Sequence, residues 1–278
     1  MNAVMRAGFG ALSALSPSLA ARAAGRLWFR IPKARVSQPA QAFLATGERF
    51  TVDVNGRAVA AWRWGTGPTA ILMHGWGGHA GQFMSIVPAL TAAGFASVAF
   101  DAPSHGASAP GALGARYSTL FEFADALRVI AARTREMAGV VAHSGGCAAV
   151  GWTMVREPRL TMPRAVFIAP FAHPLRYMEL FREAIGISPA ALERFQRITE
   201  RQFDFRWTDL EVPDMARRVT PPPTLVVHDR GDRETMWQDG SDIAAAWPGA
   251  KLISTDGLGH NRILRDPAVI ASVAEFLG

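Results

Sequence analysis

Six short β-rich runs, separated for the most part by stretches of helical periodicity, constrain the fold of this chain more than any other feature. The runs are rich in aliphatic residues, as are parallel strands that are covered on both faces. Alternation of such strands with helices predicts an α/β fold with a mostly parallel sheet, and functional side chains are expected in the loops that follow the strands. In order, the runs read AILMH, SVAFD, VVAHS, AVFIAP, LVVHD and LISTD.

A hairpin precedes the six runs. The segments TVDV and RAVAAWRW flank Asn55 and Gly56, a pair that favours a type I′ turn because both central positions need a positive φ. The hairpin adds two antiparallel strands, so the sequence predicts a sheet of about eight strands. Helical spacing from Leu120 to Glu136 predicts one of the connecting helices.

One connection is too long for a simple crossover, because about 50 residues separate AVFIAP from LVVHD. Its apolar residues have helical spacing, so we interpret residues 171–217 as a helical insertion. The insertion is either a cap over a pocket at the strand ends or a packed subdomain without a gating role. The α/β core then comprises residues 48–170 and 218–278, and residues 1–47 form a basic N-terminal helical extension.

The net charge of +6 lies entirely in the first 47 residues, which hold six basic residues and no Asp or Glu. The whole chain has 29 Lys and Arg and 23 Asp and Glu, so the remainder balances at 23 of each sign. A nucleic-acid-binding domain concentrates its cations on the folded module, and this distribution therefore argues against nucleic acid as a partner. The six basic residues are Arg6, Arg22, Arg26, Arg30, Lys33 and Arg35.

Ser16 and Pro17 suit the start of an amphipathic helix over about residues 17–31, with three arginines on one face. Three interpretations stay open. The helix docks on the domain, or it binds a membrane surface through Trp28 and Phe29 with weak affinity, or it belongs to a secretory signal. We favour docking and a cytoplasmic location, because no apolar stretch reaches the roughly 20 residues of a membrane span and the lone cysteine cannot form an internal disulfide.

Ser144 ends the run VVAHS and is followed by small residues that can start a helix. In a nucleophile elbow the serine lies on a sharp strand-to-helix turn, and the positions two before and two after it must be small. Here those positions are Ala142 and Gly146. Taken alone, the pattern also fits a serine that caps the following helix.

A catalytic serine needs a base, and the base needs an acid that orients it. In this strand-turn-helix context the partners follow the serine in the order acid, then histidine. The loop after LVVHD offers Asp232 and the loop after LISTD offers His260. These positions predict a triad of Ser144, Asp232 and His260, with Asp229 as the rival acid.

An oxyanion hole requires two N–H donors aimed at the developing charge. We predict the backbone amides of Gly145 and Trp76, the latter in the glycine-rich HGWGGH loop after the first parallel strand. Trp76, His143 and Phe171 are the candidate substrate contacts. The histidines at 74, 105 and 228 are expected to hold loops through hydrogen bonds. No metal-binding spacing occurs in the sequence, so we predict neither metal nor cofactor.

A different class of function uses the same glycines. Gly75, Gly77 and Ala80 match GxGxxA after a strand, and Asp101 ends the next strand, where it could bind a ribose. This dinucleotide-binding alternative leaves the three predicted triad residues without a role. A hydrolase-fold protein that binds a ligand without turnover is a further alternative.

Taken in order, HGWGG, FDAPSHGAS, AHSGG, HDRGD and GLGH resemble the motifs of the α/β-hydrolase superfamily, over roughly Phe50 to Gly278. The resemblance implies the eight-stranded sheet of that superfamily, a cap inserted after the sixth strand, and the triad named above. Two positions depart from the family pattern. Ala142 replaces the first elbow glycine, and Ser104 stands where a DxPGHGxS loop has glycine.

A serine at the elbow favours acyl transfer through an acyl-serine intermediate. We predict a carboxylesterase-like serine hydrolase that acts on a small or medium apolar ester. Four other reactions use closely similar catalytic groups and remain alternatives: thioester hydrolysis, acyl transfer, carbon–carbon bond hydrolysis and perhydrolysis. An apolar substrate is suggested by four aromatic residues of the insertion, which equally suit an ordinary core: Phe171, Phe181, Phe195 and Trp207.

Overall fold

A computed structural model describes residues 3–32 and 35–278, so Lys33, one of the six N-terminal basic residues, lies outside the described residues. The chain forms two compact units. The helical unit comprises Met1–Arg30 and His173–Glu211, and the α/β unit comprises Ile31–Ala172 and Val212–Gly278. The sequence-based boundaries kept the N-terminal extension and the insertion apart, whereas the structure places most of both in the helical unit. That the insertion acts as a cap stays a prediction.

Eight strands form the sheet of the α/β unit, in the order β1-β2-β4-β3-β5-β6-β7-β8. Strand β2 runs antiparallel to β1 and to β4, and the other neighbours are parallel. Each of the six β-rich runs is a strand, and the predicted fold class is confirmed. The strands are β1 (Glu48–Val54), β2 (Arg57–Trp64), β3 (Thr69–Met73), β4 (Ala96–Phe100), β5 (Met137–His143), β6 (Ala165–Ile168), β7 (Thr224–Asp229) and β8 (Lys251–Thr255).

Helices flank the strands and make up the helical unit. Within residues 3–32 and 35–278, no helix has both the length and the hydropathy that crossing a bilayer requires. The α-helices are α1 (Ala3–Leu15), α2 (Pro17–Trp28), α3 (Gln38–Ala45), α4 (Ile86–Ala92), α5 (Leu120–Ala132), α6 (Gly145–Arg156), α7 (Pro174–Ile185), α8 (Pro189–Phe203), α9 (Trp237–Ala246), α10 (Gly259–Arg262) and α11 (Pro267–Leu277).

Local sequence signals account for the elements around the sheet. Asn55 and Gly56 have φ of +53° and +77°, as the type I′ turn between β1 and β2 requires. Strands β3, β4, β6 and β7 are buried along their whole length, which explains their continuous aliphatic composition. Helix α5 starts behind a capping box of Thr119 and Glu122 and stops at Ala132, short of the predicted end, because the chain then enters β5.

The helical unit joins two segments that are distant in sequence. Helix α2 begins at Pro17, as predicted, and the Ser16 hydroxyl accepts the Leu19 amide at 3.4 Å. A Cβ on Gly25 of α2 would lie 3.2 Å from the ring of Phe195 in α8, so the missing side chain lets the two helices approach closely. Helix α1, which the sequence patterns did not predict, precedes α2 in the same unit.

An aromatic cluster fills the interior of the helical unit. The ring of Trp28 lies 5.2 Å from that of Phe181, 6.3 Å from Phe195 and 6.0 Å from Trp207, centroid to centroid. Phe29 packs 6.1 Å from Phe195. Trp28 and Phe29 therefore pack against rings of their own unit, and their contact with a membrane surface stays a prediction. Phe195 and Trp207 are buried and Phe181 is half-buried, so these three rings of the insertion pack within the helical unit.

Candidate active site

Ser144 lies on a sharp turn between β5 and α6. Its backbone has φ +53° and ψ −125°, a conformation that costs a residue with a side chain on the order of 1–3 kcal/mol. A helix-capping serine has an extended backbone, and its hydroxyl accepts an amide of the first turn. The Ser144 hydroxyl accepts no such bond. The capping interpretation is therefore wrong, and the turn has the geometry of a nucleophile elbow.

Small residues around Ser144 make this turn possible. A Cβ on Gly146 would lie 2.7 Å from the carbonyl oxygen of His74, and a Cβ on Gly75 would lie 2.8 Å from the Cβ of Ser144. Both distances are shorter than real Cβ contacts, so neither position accepts a side chain without a shift of the backbone. Ala142, which departs from the family pattern, is fully buried in β5 with its single methyl group accommodated.

His260 and Asp232 are joined directly. Nδ1 of His260 donates to Oδ2 of Asp232 at 2.8 Å, and because a carboxylate only accepts, Nε2 is left with the lone pair that a base requires. Oδ1 of Asp232 accepts the amides of Glu234 and Thr235 at 2.8 and 3.1 Å. Burial on its own would raise the pKa of Asp232, but hydrogen bonds from His228 and His260 hold it well below the ordinary value.

Asp229, the rival acid, ties two loops together. Its Oδ2 accepts the Thr255 hydroxyl and the Leu258 amide, each at 2.8 Å, and its Oδ1 accepts the Gly231 amide at 2.9 Å. Burial opposes ionisation, yet these hydrogen bonds lower the pKa of Asp229. Among the described residues Asp229 makes no bond to His260, so the structure brings Asp232 to the histidine and leaves Asp229, the last residue of β7, bonded to the loops after β7 and β8.

His143 holds His260 beside the elbow. Nε2 of His143 donates to the backbone carbonyl of His260 at 2.9 Å, and the two ring centroids are 4.7 Å apart. Burial, followed by the proximity of His260, lowers the pKa of His143 to about 3, so this imidazole is neutral at physiological pH. Its ring is 3% exposed, and its contact with a substrate stays a prediction.

The hydroxyl of Ser144 and the imidazole of His260 are not yet hydrogen-bonded. Among the described residues no bond joins them, and Nε2 of His260 lies 3.8 Å from Oε2 of Glu234. Hydrogen bonds between a nucleophile and its base are often long without substrate and tighten when substrate binds. The bond from His143, the residue before Ser144, to the His260 carbonyl links the loop of the histidine to the elbow.

Thr235 and His228 belong to the same cluster, although no sequence pattern pointed to Thr235. The Thr235 hydroxyl lies 3.2 Å from Asp232 Oδ2, 3.2 Å from His260 Nδ1 and 3.2 Å from the Ala169 carbonyl oxygen. His228 is fully buried, and its Nε2 lies 3.4 Å from Asp232 Oδ2. These two side chains enclose the Asp232 carboxylate and fix its oxygens. Their contacts depend on the path of the loop, so no sequence pattern predicts them.

The two predicted oxyanion donors lie side by side. Gly145 is the first residue of α6, where backbone N–H groups have no partner within the helix. A Cβ on Gly145 would lie 3.7 Å from the backbone nitrogen of Trp76. The Trp76 indole stacks on Phe123, with centroids 6.1 Å apart and planes inclined by 13°. The pair of amides at a helix N-terminus suits an oxygen that becomes negatively charged.

His74 and His105 hold the loops around these donors, as predicted. Nδ1 of His74 donates to the Gly75 carbonyl at 2.7 Å, and its Nε2 accepts the Ala102 amide at 3.0 Å. Nε2 of His105 accepts the Gly77 amide at 3.1 Å. Burial lowers the pKa of both, that of His105 to about 4. No group of three or more His, Cys, Asp or Glu side chains in the described chain is arranged to hold a metal ion.

Asp101, the ribose ligand of the dinucleotide alternative, is used inside the protein. Its Oδ1 accepts the Ala80 amide and its Oδ2 accepts the Ala107 amide, each at 2.7 Å. Burial raises the pKa of Asp101 to about 6, against the effect of these bonds. Both oxygens therefore connect the loop after β3 to the loop after β4, and this connection accounts for the pattern that resembled a dinucleotide site.

Ser104, the second departure from the family pattern, adopts a conformation that glycine prefers. Its φ is +66°, and its hydroxyl donates to the Gly114 carbonyl at 2.9 Å and accepts the Gly111 amide at 2.7 Å. The two bonds offset the cost of the left-handed backbone, so the loop keeps its sharp turn without glycine.

Phe171 and a surface pocket adjoin the candidate residues. The Phe171 amide donates to the carbonyl of Ser144 at 3.2 Å, so this aromatic residue borders the elbow. A separate pocket of about 500 Å³ reaches His260 from the loops after β7 and β8. Its lining residues are Gly231, Arg233, Glu234, Gly257, Gly259, His260 and Arg262.

Comparison with known families gives one match that spans most of the chain. The model of the "Alpha/beta hydrolase family" matches residues 70–273, a range that contains every candidate residue described above. No curated protein matches this sequence significantly.

Solved structures share the fold at low sequence identity. Est1E from Butyrivibrio proteoclasticus, solved with ferulic acid bound, is 18% identical, with a TM-score of 0.63 over 82% of this chain and 96% of its own. A membrane phospholipase A described as a bacterial virulence factor is 19% identical, with a TM-score of 0.60 over 93% and 95%. The thioesterase domain from the curacin biosynthetic pathway is 18% identical, with a TM-score of 0.58 over 83% and 98%.

Proposed function

The chain belongs to the alpha/beta hydrolase family, and on this premise we propose that it is a serine hydrolase that cleaves carboxylic esters through an acyl-serine intermediate. One observation carries the proposal: a serine held on a strained turn follows His143, whose ring is bonded to the backbone of His260, and Nδ1 of His260 is bonded to a carboxylate. A family fold by itself would not identify the reaction.

The first half of the reaction transfers the acyl group to the protein. Nε2 of His260 accepts the hydroxyl proton of Ser144 as Oγ attacks the ester carbonyl. Asp232, ionised at physiological pH, stabilises the imidazolium through its bond to Nδ1 and fixes the ring orientation. The amides of Trp76 and Gly145 bind the negative oxygen of the tetrahedral intermediate. His260 then gives the proton to the departing alkoxide, and the alcohol leaves.

The second half repeats these roles with water. His260 removes a proton from a water molecule, whose oxygen attacks the acyl-serine carbonyl, and the same two amides hold the oxyanion. The proton returns to Oγ of Ser144 as the carboxylic acid departs. Bonds and charges balance without an oxidant, a metal or a cofactor.

The proposed substrate is a small or medium apolar ester. Because three of the insertion's aromatic residues pack against other rings of the helical unit, this expectation rests on Trp76 and Phe171, which lie next to the elbow. His143 contributes by positioning His260 and is the third proposed substrate neighbour. Est1E, with bound ferulic acid, supports a test of aromatic acyl groups, and the thioesterase domain supports a test of thioesters.

Covalent labelling tests the proposal directly. A fluorophosphonate probe reacts only with a serine that a base activates, so the intact protein should acquire one label, and peptide mapping should locate it on Ser144. The variant Ser104→Ala serves as a matched control, because Ser104 is the other serine of the α/β unit with a positive φ. A label on another residue, or none, would refute the assignment. A panel of p-nitrophenyl esters and thioesters of graded chain length then identifies the preferred bond.

A further inference from the structure

Exposed apolar side chains are concentrated in α1 and the first turn of α2. Of the seven large hydrophobic residues that are exposed in the described part of the chain, four lie within residues 3–19. Leu15 is 86% exposed, Val4 79% and Leu19 56%. Isolated exposed leucines are common in proteins, but their concentration in two adjoining helices marks an interaction surface.

The exposed apolar residues of α1 form one stripe. At 100° per residue, Val4, Ala11 and Leu15 fall within about 40° of one another, and all three are exposed. The opposite side of α1 holds Ser13, which is buried and whose hydroxyl accepts the Ser188 amide at 3.2 Å. Helix α1 therefore packs through its Ser13 side and presents the apolar stripe to the surroundings.

Helix α2 adds cations to this surface. Arg22 and Arg26 are exposed and lie on the side opposite the buried Ala20 and Ala24. The outward side of α2 thus starts with Leu19 and continues with two arginines. Residues 1–47 contain no Asp or Glu, so the charged residues of this segment are all basic.

We propose that this N-terminal patch, formed by Val4, Leu15, Leu19, Arg22 and Arg26, binds the surface of a bilayer that contains anionic lipids. The apolar side chains would enter the boundary between headgroups and acyl chains, and the guanidinium groups would pair with lipid phosphates. This contact differs from the one that the sequence suggested, because it does not use Trp28 and Phe29, which pack against rings of the helical unit.

The combination of leucine and arginine distinguishes a bilayer from other occupants. A second copy bound across a two-fold axis would bring identical basic patches together, and their charges would repel. A nucleic acid would pair with the arginines but leave the leucines in water. An anionic bilayer offers apolar and anionic chemistry in adjacent layers, so it satisfies both parts of the patch.

Vesicle flotation with the full-length protein tests the proposal. The protein should float with vesicles of phosphatidylcholine mixed with phosphatidylglycerol, should bind vesicles of phosphatidylcholine alone much more weakly, and should dissociate as salt is raised. The Ser144→Ala variant should bind equally well, because the contact does not depend on hydrolysis.

Two double variants separate the contribution of the arginines to vesicle binding from that of the leucines. Replacing Arg22 and Arg26 by Gln should weaken binding to the anionic vesicles about 30-fold, at ~1 kcal/mol per arginine. Replacing Leu15 and Leu19 by Ser should weaken it about tenfold or more. The matched controls, Arg133→Gln with Arg135→Gln and the single Leu180→Ser, change exposed residues elsewhere and should leave binding unchanged.

Three results would overturn the proposal. One is a failure to float with anionic vesicles at low salt. Another is equal loss of binding in the control variants, which would indicate a nonspecific charge effect. The third is a concentration-dependent dimer in light scattering that disappears when Leu15 and Leu19 are replaced, without vesicle binding, which would assign the patch to a second copy of the chain.

Discussion

The α/β unit and the helical unit bury different kinds of side chain. In the described residues of the helical unit, the buried polar side chains are the hydroxyls of Ser13 and Thr199, and the rest of its interior is apolar. The α/β unit buries several ionisable groups, each held by hydrogen bonds. Changes in the α/β unit are therefore expected to alter chemistry, and changes in the helical unit to alter stability. The buried ionisable residues include His74, Asp101, His105, His143, His228, Asp229 and His260.

The largest effect is expected at the proposed nucleophile. Ser144→Ala removes the attacking oxygen and should reduce ester turnover by about 10⁴-fold or more, measured as kcat/KM on a p-nitrophenyl ester. The free energy of unfolding should not fall, since alanine replaces a serine whose hydroxyl does not cap the helix. Ser104→Ala should lose only a small part of the activity. If Ser144→Ala turns over ester nearly as fast as the unaltered protein, Ser144 is not the nucleophile.

The aspartates at the end of β7 and in the loop after it offer the next test. Asp232→Asn should lower kcat by about 10⁴-fold, because an amide cannot stabilise the imidazolium and favours the wrong tautomer. Asp229→Asn removes bonds that join two loops, so it should lower the melting temperature and affect kcat much less. Steady-state kinetics and thermal unfolding of both variants decide the matter. Equal losses of kcat would show that the hydrogen bond to His260 does not identify the acid.

A core variant of the helical unit should lower stability and leave the chemistry unchanged. Phe195 is 1% exposed and packs on Trp28 and Phe29. Phe195→Ala should lower the free energy of unfolding by about 3–5 kcal/mol, measured by urea denaturation, and should leave fluorophosphonate labelling of Ser144 intact under native conditions. Loss of labelling in the folded variant would show that the helical unit contributes to the chemistry.

Thr235 provides a smaller and sharper test within the active-site cluster. Thr235→Val keeps the shape but removes the hydroxyl near Asp232 and His260. Loss of a buried hydrogen bond of this kind is worth about 1–2 kcal/mol, so kcat should fall roughly 5- to 30-fold while KM changes little. Thr235→Ser restores the hydroxyl and should restore kcat. If both variants lose activity equally, the methyl group and packing matter instead of the hydroxyl.

The last expected effect concerns stability at acidic pH. The pKa of His143 is about 3 in the folded protein, below the ordinary value, so the unfolded state binds a proton that the folded state does not. The contribution of His143 to the free energy of unfolding is fully present above about pH 6.5. It decreases by about 1.4 kcal/mol per pH unit as the pH falls toward 3. His105 acts in the same direction, and Asp101, with its raised pKa, acts in the opposite one.

Replacement of His143 by Gln isolates that contribution. Urea denaturation at several pH values between about 4 and 6.5 should give a slope of stability against pH that is shallower by about 1.4 kcal/mol per unit than in the unaltered protein. An unchanged slope would mean that His143 is protonated equally in both states.

The features of the α/β unit that could be predicted from sequence share a physical origin. Parallel strands place the residues that follow them at one edge of the sheet, so a polar residue directly after an aliphatic run has a definite location. Ser144, Asp232 and His260 are predicted from sequence on this ground. Thr235 is not, because its contacts depend on the path of a turn and a lone threonine carries no periodicity.

The helical unit was harder to predict because its two halves are remote in sequence. Amphipathic spacing shows that one side of α2 is buried, but it does not identify the partner. Trp28 is as compatible with a lipid interface as with the rings of Phe181 and Trp207 when only the sequence is considered. Gly25 does not predict a close helix contact from sequence, because that role depends on the ring of Phe195, which is distant in the chain.

The discontinuity of the helical unit also sets an order of events during synthesis. Helices α1 and α2 leave the ribosome before α7 and α8, which complete their unit and follow only after residues 31–172 have been made. At 5–20 residues per second this delay is about 7–28 s. Throughout that interval Trp28 and Phe29 lack the rings that later pack against them, so the aromatic cluster of the helical unit forms only after residues 31–172 have been made.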